Sequence, residues 1–415
     1  MRFRVFNKKV MLIAYILLFA LICSLMTGCT GQKTSEEATD ERENYKIITD
    51  MRSKEVRIPK EPKRVVTVSD GLIESVMINF GVVDRLVGVG GESLKNYSDY
   101  KYTTYTGGSF SYTRGANPVL PLYPKIKDLP LLIKYGTGMN YEALAGLSPD
   151  IIIFRLGSCS LWESESENVK QTIERVESLG IPLVVLKAPN CYDKPDLETM
   201  CKEIEILGEI FNKQKQAKNI VNYFDKQVSF IKERTSNIKE QDKPKVLLLG
   251  LSSVAREKGG SGNVQGLDQQ ESVNLESIVN ARNAYRGTGG HGDIMSAEQI
   301  LALNPDIILL PTSWGYHPPR ELYEGEHFRD LKDLKAIKEK RVYALPWLPC
   351  NCAPRLEVLI NLMIESKAAY PDKFADVSVH KWVLDFYHQL YGVNDEMAKE
   401  LRSAQWLDWM EEVKF

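Results

Sequence analysis

The chain has 415 residues, which is long enough for two domains that each have a hydrophobic core. Its composition, 43% hydrophobic and 26% charged residues, is ordinary for a soluble globular protein. The 53 basic and 55 acidic residues are interleaved, so the net charge is only -2. Without a long basic run, nucleic acid is not expected as a partner.

Residues 1–28 have the pattern of a signal peptide. A basic start is followed by an apolar run from Val10 to about Met26 that contains no acidic residue. The run ends in Thr27-Gly28-Cys29, which resembles a bacterial lipobox, so Cys29 is expected to carry the lipid (palmitate, for example) and to become the new N-terminus. The alternative is an uncleaved membrane anchor, because the run is near the lower length limit for a span. Both interpretations place the body of the chain outside the membrane.

Residues 29–44 are expected to form a flexible tether, because they are polar and charged and offer no large apolar groups to bury. The strand candidates begin after this tether. Runs at 64–68, 86–90 and 182–186 read as buried strands of a first half of the chain, and runs at 245–250 and 341–345 as strands of a second half. Strands that alternate with helical patterns predict parallel α/β sheets.

An internal repeat links the two halves. Residues 140–154 and 296–310 match in register at a Glu, a Leu, and a Pro-Asp pair. Each copy predicts a short amphipathic helix that carries an outward Glu, a Pro-Asp turn that ends it, and a buried parallel strand. Two copies predict two lobes of similar construction.

A helical pattern occupies the stretch between the halves, from about 196 to 235. As one helix it would be roughly 60 Å long. Gly208 and the polar residues 213–216 are positions where the helix can break in two.

These patterns resemble the helical-backbone substrate-binding proteins of ABC importers for iron-siderophores, haem and cobalamin. The resemblance rests on residues 47–66, on 80–89, on both repeats and on 371–374. It implies an α/β fold of two Rossmann-like lobes with parallel sheets, joined by a long backbone helix, with the ligand in the cleft between the lobes. The expected domains are residues 45–192, the bridging helix 193–237, and residues 238–415.

In this family, one Glu on the exposed face of each lobe docks onto arginines of the permease. The matching residues are Glu142 and Glu298, one in each repeat. Rigidly held carboxylates are suited to charge-assisted contacts with arginine. The alternative is that each is an ordinary solvated Glu on a helix surface.

Candidate ligand contacts lie in the loops. His291, in a glycine-rich loop, resembles the histidine that completes iron coordination in catecholate-siderophore binders, although an exposed histidine without a partner is the alternative. Tyr316 and His317 follow a predicted strand, and ligands bind at the carboxyl ends of such strands. The remaining candidates are Arg114, Arg155, Trp347 and Arg355.

Arginine suits the oxygen atoms of anionic chelates, but a surface salt bridge is the alternative for each of the three. The cysteines after Cys29 are Cys159, Cys191, Cys201, Cys350 and Cys352. An odd number leaves at least one unpaired, and the sequence does not specify the pairing. Two thiols at 350 and 352 are too few for a metal site, so a structural role is favoured for them.

The sequence therefore predicts an extracytoplasmic, lipid-anchored monomer that delivers a metal chelate to an ABC permease. A ferric siderophore is the first expected ligand, and cobalamin, haem or a nickel chelate are the alternatives. No intrinsic cofactor is expected. From another class, an extracellular α/β enzyme or a chelatase of related ancestry is the second hypothesis, but the sequence has no GxSxG, P-loop or HExxH motif.

Overall fold

The computed structural model describes residues 44–134, 137–288, 292–311, 318–349 and 352–415. The chain divides into two units, residues 1–46 and residues 47–415, and the sheets and the candidate site belong to the second. Across the described ranges, no helix is both long and apolar enough to cross a membrane.

The strands of these ranges are short and lie mostly in two sheets. They are β1 (Tyr45–Thr49), β2 (Glu55–Pro59), β3 (Val65–Val68), β4 (Leu86–Val89), β5 (Ser98–Thr103), β6 (Ser109–Gly115), β7 (Ile151–Leu156), β8 (Leu183–Lys187), β9 (Lys245–Gly250), β10 (Gly262–Val264), β11 (Arg282–Asn283), β12 (Asp293–Met295), β13 (Ile307–Leu310) and β14 (Val342–Ala344).

The first sheet has four parallel strands in the order β4-β3-β7-β8. All side chains of β3 and β7 are buried. This is the pattern expected for a parallel sheet that is covered on both faces, and it explains why these strands read as continuous apolar runs. The three strands predicted for the first half of the chain are confirmed here, with ends that differ by one residue.

The second sheet has the order β12-β10-β9-β13-β14, and β11 also pairs with β9. The pairs of β9 with β11 and β13, and of β13 with β14, are parallel. In contrast, β10 runs antiparallel to both β9 and β12. The predicted strands at 245–250 and 341–345 are confirmed, but the sheet is mixed rather than wholly parallel, because β10 and β12 are too short and polar to be recognised as strands.

Helices cover the faces of both sheets. The helices of the described residues are α1 (Leu72–Asn79), α2 (Val119–Leu122), α3 (Tyr141–Gly146), α4 (Glu167–Ser178), α5 (Leu197–Phe211), α6 (Gln214–Thr235), α7 (Ser253–Glu257), α8 (Gln270–Asn274), α9 (Ala297–Leu303), α10 (Pro319–Glu324), α11 (Lys335–Lys338), α12 (Val358–Ala369), α13 (Val379–Tyr391), α14 (Asp395–Ala404) and α15 (Trp409–Glu412). A π-helical turn, Leu275–Val279, follows α8.

The helical tract between the halves consists of two helices rather than one. Asn212 takes a left-handed conformation with φ of 56° and ends α5, after which α6 begins at Gln214. Cys201 of α5 and Asp225 of α6 are electrostatic neighbours although they lie about equally far from this break, so the two helices fold back on each other. Of the two possibilities that the sequence left open, the broken tract is the one observed.

One large apolar core unites the elements of both halves. It includes residues of the first sheet such as Val65 and Ile151, and residues of the second such as Val246 and Ile307. The helices α5, α6, α12 and α13 contribute to the same core. The domain limits at 192 and 237 stay predictions, because residues 47–415 form one unit.

Candidate functional site

The loops that follow the carboxyl ends of parallel strands in both sheets meet, and the region where they meet, at Asp70, Cys159, Cys352 and Arg355, is called the crevice. From the first sheet, Asp70 follows β3 and Cys159 follows β7. From the second sheet, Cys352 and Arg355 follow β14. A disulfide joins Cys159 to Cys352 across 193 residues of sequence, with the Cα atoms 5.5 Å apart. The carboxyl ends of strands are where ligands bind in such sheets, so this crevice is the candidate ligand site.

Hydrogen bonds reinforce the disulfide. The Arg355 guanidinium donates from Nη1 to the backbone oxygen of Asp70 at 2.6 Å. The Asn190 side chain donates from Nδ2 to the backbone oxygens of Gly157 at 2.9 Å and Cys352 at 3.0 Å. Gly157 has a φ of +84°, and a Cβ at this position would lie 2.3 Å from Asn190 Oδ1, so a side chain here would displace Asn190. The two halves are therefore tied together at the floor of the crevice.

Asp70 is the central charge of this floor. Its side chain is 1% exposed, and its Oδ1 accepts a hydrogen bond from the Cys159 backbone N–H at 2.9 Å. Burial raises the pKa of Asp70 to about 6, against the opposing effect of the positive charges on Arg355 and Arg155. Asp70 was not predicted as a site residue. Its position just after a buried strand could have identified it, because ligands bind at the carboxyl ends of such strands.

Arg155 and Arg355, which were predicted as ligand contacts, both approach Asp70 but are buried. Arg155 is 0% exposed and donates from Nε and Nη2 to the two carboxylate oxygens of Glu203, both at 2.8 Å. Because this pair lies inside the protein, the surface salt bridge considered for Arg155 is wrong. A buried guanidinium requires such a partner, and Glu203, on α5, is too distant in sequence to be identified as one. Direct contact with a ligand stays a prediction for both arginines.

Trp347, which follows β14, and Arg114, on β6, lie close to each other. Trp347 is buried and stacks on Trp406, with 4.9 Å between the ring centroids. A Cβ on Gly115 would lie 2.6 Å from Trp347 Nε1, so this glycine allows β6 to pass against the indole. The neighbouring Arg114 is exposed, with its guanidinium 4.5 Å from the ring centre of Tyr97. The structure thus brings two distant predicted residues to adjacent positions.

Several polar atoms around the floor are buried without a hydrogen-bond partner among the described residues. They are Asp70 Oδ2, Arg155 Nη1, Ser158 Oγ, Asn190 Oδ1 and Trp347 Nε1. Buried polar groups are nearly always hydrogen-bonded in proteins, so such a cluster marks a place where a polar ligand or solvent can bind.

Five predicted residues lie outside the described ranges: Cys29, His291, Tyr316, His317 and Cys350. Their roles therefore stay predictions. Of the described cysteines, Cys191 and Cys201 are free thiols. The pairing of Cys352 agrees with the structural role expected for a cysteine of the 350–352 pair.

Glu142 and Glu298 occupy equivalent positions. Each is exposed and lies in the first turn of a short helix, which is capped by Asn140 in one copy and by Ser296 in the other. Asn140 donates its backbone N–H to Leu132, which in turn bonds Val89 at the carboxyl end of β4. Ser296 follows β12, which continues the sheet beyond the carboxyl end of β9. Both glutamates therefore belong to helices that begin near the carboxyl end of a strand, β4 in one half and β9 in the other.

The geometry agrees with a match to known proteins. Residues 71–347 match the model of the periplasmic binding protein family. The chain belongs to this family. Accordingly, it is an extracytoplasmic substrate-binding protein of an ABC importer and not an enzyme, so the hypothesis of an enzyme is wrong.

Two relatives illustrate the range of ligands in the family. The molybdate-binding protein MolA of Haemophilus influenzae is 22% identical over 384 residues, which cover 89% of this chain and 96% of MolA. The high-affinity heme uptake system protein IsdE of Staphylococcus aureus is 28% identical over 166 residues, which cover 38% of this chain and 52% of IsdE.

Solved structures share the fold. A periplasmic solute-binding protein of Veillonella parvula has a TM-score of 0.68 and 22% identity, with 90% of this chain and all of that chain covered. MolA bound to molybdate has a TM-score of 0.64 and 19% identity, with coverages of 84% and 98%. The fold of two α/β lobes expected from the sequence is confirmed.

Proposed function

We propose that this binding protein is a lipoprotein that captures a metal chelate, with a ferric siderophore as the leading ligand, and delivers it to an ABC permease. The crevice between the carboxyl ends of the two sheets is the observation that carries the proposal. Its floor is fixed by the disulfide and by Arg355, and it concentrates polar atoms that lack protein partners. Such a site suits a ligand that is rich in oxygen atoms.

The proposed ligand contacts divide into two groups. Arg114 and Trp347, which the structure brings close together through Gly115, are proposed to contact the ligand from one side. Arg155 and Arg355 are proposed to act from beneath, where Arg155 pairs with Glu203 and Arg355 holds the backbone oxygen of Asp70, so both shape the surface that the chelate meets. Tyr316 and His317 are proposed to complete the lining from the loop after β13.

His291 is proposed to bind the metal of an incompletely coordinated chelate. An imidazole must be neutral to bind a metal, so affinity should fall as the pH drops below a histidine pKa of about 6.5. His291→Ala should weaken binding of a tetradentate ferric chelate and shift its visible absorption. A hexadentate chelate serves as the matched control, because it leaves no coordination position for the protein.

Molybdate is the second candidate ligand. It is favoured because the match to the molybdate-binding protein MolA extends over 89% of this chain, whereas the match to the haem protein covers 38%. A small oxyanion also needs less space than a siderophore in a crevice whose two walls are covalently joined.

A thermal-shift experiment separates the candidates. The mature protein is heated with a ferric catecholate chelate, with haem, with molybdate and with sulfate as an anion control. A ligand that binds only the native state raises Tm by mass action. The proposal predicts that the ferric chelate raises Tm. If molybdate alone raises Tm, molybdate is the ligand instead. If no metal species raises Tm, the proposed ligand class is wrong.

Anchoring through Cys29 has a separate test. Cys29→Ser should abolish acylation and release the protein from the cell membrane, because the hydroxyl cannot replace the thiol in lipid attachment. Metabolic labelling with a fatty acid, followed by fractionation, measures both effects. A variant that is still labelled and processed at the same position would contradict the lipobox interpretation.

A further inference from the structure

Three potential metal ligands meet at the floor of the crevice. A carboxylate oxygen of Asp70 and the sulfur atoms of Cys159 and Cys352 all lie within 4.8 Å of one another. Asp70 is buried, and the two cysteines are half-buried. In the structure the sulfur atoms are joined as a disulfide, and in this form they are poor metal ligands, because a metal binds the thiolate.

One carboxylate oxygen of Asp70 is available to bind a metal. Its Oδ1 accepts the Cys159 N–H, whereas its Oδ2 is buried without a hydrogen-bond partner in the described parts of the chain. A buried carboxylate oxygen that lacks a partner is costly. The backbone oxygen of Asp70 is held by Arg355, so the main chain at Asp70 has a contact that does not depend on the disulfide.

The local charges favour a divalent cation once the disulfide is broken. Two thiolates and one carboxylate carry three negative charges, and Arg355, which contacts Asp70, contributes one positive charge. Arg155 is neutralised by Glu203. The three ligands and Arg355 together carry two negative charges, which a divalent cation balances.

We propose that reduction of the Cys159–Cys352 disulfide creates a binding site for a thiophilic divalent cation, such as Zn²⁺, formed by both sulfur atoms and Asp70. A dithiol supplies two electrons and two protons, the S–S bond breaks, two cysteine thiols form, and the reductant becomes a cyclic disulfide. Binding of the cation then releases the two thiol protons. Two thiolates and one carboxylate are ligands that zinc accepts, and the fourth tetrahedral position stays open.

The geometry requires only small movements. Zinc–sulfur bonds of about 2.3 Å and zinc–oxygen bonds of about 2.0 Å place tetrahedral ligands roughly 3.3–3.8 Å apart. The sulfur atoms must separate after reduction, and Asp70 must approach them by about 1 Å from a separation of at most 4.8 Å. Gly157, with its positive φ, precedes Ser158 and Cys159, so the loop that carries one ligand has a flexible residue at its base.

Cobalt absorption tests the proposal directly. The full mature protein is reduced with a dithiol, freed of reductant under anaerobic conditions, and titrated with Co²⁺, which reports thiolate ligation through a charge-transfer band and tetrahedral geometry through its visible bands. The reduced protein should bind one equivalent, which Zn²⁺ then displaces, and the oxidised protein should show no charge-transfer band. Absence of the band in the reduced protein would overturn the proposal.

Variants identify the ligands. Asp70→Asn should weaken Co²⁺ binding at least 10-fold, and the Cys159→Ser/Cys352→Ser double variant should abolish the band. Cys201→Ser, which changes a free thiol on α5, and Cys350→Ser should leave it unchanged. Circular dichroism of each variant, compared with the reduced wild type, verifies that the fold is retained. A band that survives in the double variant, or that is lost in Cys350→Ser, would assign the cation to other thiols and overturn the proposal. None of these results depends on which ligand the importer carries.

Discussion

Asp150 and Asp306 make the same contact in the two halves of the molecule. The carboxylate of Asp150 accepts the backbone N–H of Arg64 at 2.9 Å, and that of Asp306 accepts the backbone N–H of Lys245 at 2.9 Å. Each aspartate also donates its own N–H to the carbonyl oxygen of that same residue at 2.8 Å. Each repeat therefore fastens the start of its strand, β7 or β13, to the start of the adjacent central strand.

The side chains of Arg64 and Lys245 complete this symmetry. Arg64 Nη2 donates to the backbone oxygen of Leu147 at 2.6 Å, and Lys245 Nζ donates to that of Leu303 at 3.2 Å. Leu147 and Leu303 are the matching leucines of the repeat. The repeat thus has a structural reason at Asp and Leu. Glu142 and Glu298 are exposed, and the contact given for Glu298 is local, a hydrogen bond from the Ser296 hydroxyl of its own helix cap.

Removal of either aspartate should destabilise the protein. Asp306→Ala leaves the partly buried backbone N–H of Lys245 without its acceptor, which costs about 1–3 kcal/mol. Asp150→Ala removes exposed hydrogen bonds, so its loss should be smaller, about 0.5–1.5 kcal/mol. Urea unfolding of each variant measures the loss. Asp193→Ala is the control, because Asp193 is exposed, and it should change the free energy of unfolding by less than about 0.5 kcal/mol. Equal stabilities of all three variants would contradict the proposed structural role of the repeat.

Glu203→Ala should be severely destabilising. It leaves the Arg155 guanidinium buried without its bidentate partner, which typically costs about 3–5 kcal/mol. The double variant Arg155→Met/Glu203→Leu removes both charges and should recover most of the loss, because the buried space is then filled by apolar groups. Chemical unfolding of both variants tests the pair, and a double variant as unstable as the single one would show that the charges are not the cause.

The disulfide should make the largest single contribution to stability. A bond that closes a loop across 193 residues reduces the entropy of the unfolded chain by the equivalent of about 5 kcal/mol. Cys352→Ser should lower the free energy of unfolding by an amount of this order under non-reducing conditions, whereas Cys201→Ser should have little effect. Mass spectrometry of peptides from the unreduced protein verifies the pairing, and a Cys350–Cys352 or Cys159–Cys350 link would contradict it.

Glu365→Gln should stabilise the protein in a pH-dependent manner. Burial, followed by the charge of Glu271, raises the pKa of Glu365 to about 8. The folded protein therefore holds a proton that the unfolded chain releases above pH of about 4.5, so wild-type stability falls as the pH rises from about 5 to 8. The glutamine variant has no such loss. The difference in free energy of unfolding between the variant and the wild type should therefore grow across that range. Unfolding measured at pH 5 and pH 8 checks this, and an equal advantage at both would contradict it.

Much of the fold could be predicted because it depends on local patterns. The repeats, the buried strands and the helical tract have apolar periodicities that the sequence displays directly. The break at Asn212 was only one of two possibilities, since a left-handed residue that ends a helix is decided by the packing of α5 on α6. The short strands β10 and β12 have no such pattern, because their place in the sheet depends on their neighbours.

The site was predicted less completely, because its residues come together only in the folded chain. Arg155, Trp347 and Arg355 were named as candidate ligand contacts, yet their partners Glu203, Trp406 and Asp70 lie far away in sequence. The Cys159–Cys352 pairing likewise depends on the approach of two loops that the sequence does not relate. Residue type and strand ends identify such positions, whereas burial and pairing decide what each one does.

Charge reversal tests the docking role of the two exposed glutamates. Glu142→Arg and Glu298→Arg should impair uptake, because each replaces an attraction for permease arginines by a repulsion, whereas ligand affinity should be unchanged. The loss of a desolvated charged contact can reach about 2–5 kcal/mol. Glu174→Arg, at an exposed position of α4, is the matched control. Normal uptake by the double variant would remove the functional interpretation of the repeat.

The most direct test of the central claim is the metal content of the mature protein after incubation with a ferric catecholate chelate and removal of unbound ligand. Iron measured by mass spectrometry should reach one equivalent per protein, together with a rise in Tm, because the proposed site binds the chelate as a whole. Apoprotein incubated with the iron-free chelator is the control. If the protein retains no iron and its Tm is unchanged, this chain is not a ferric-chelate binding protein.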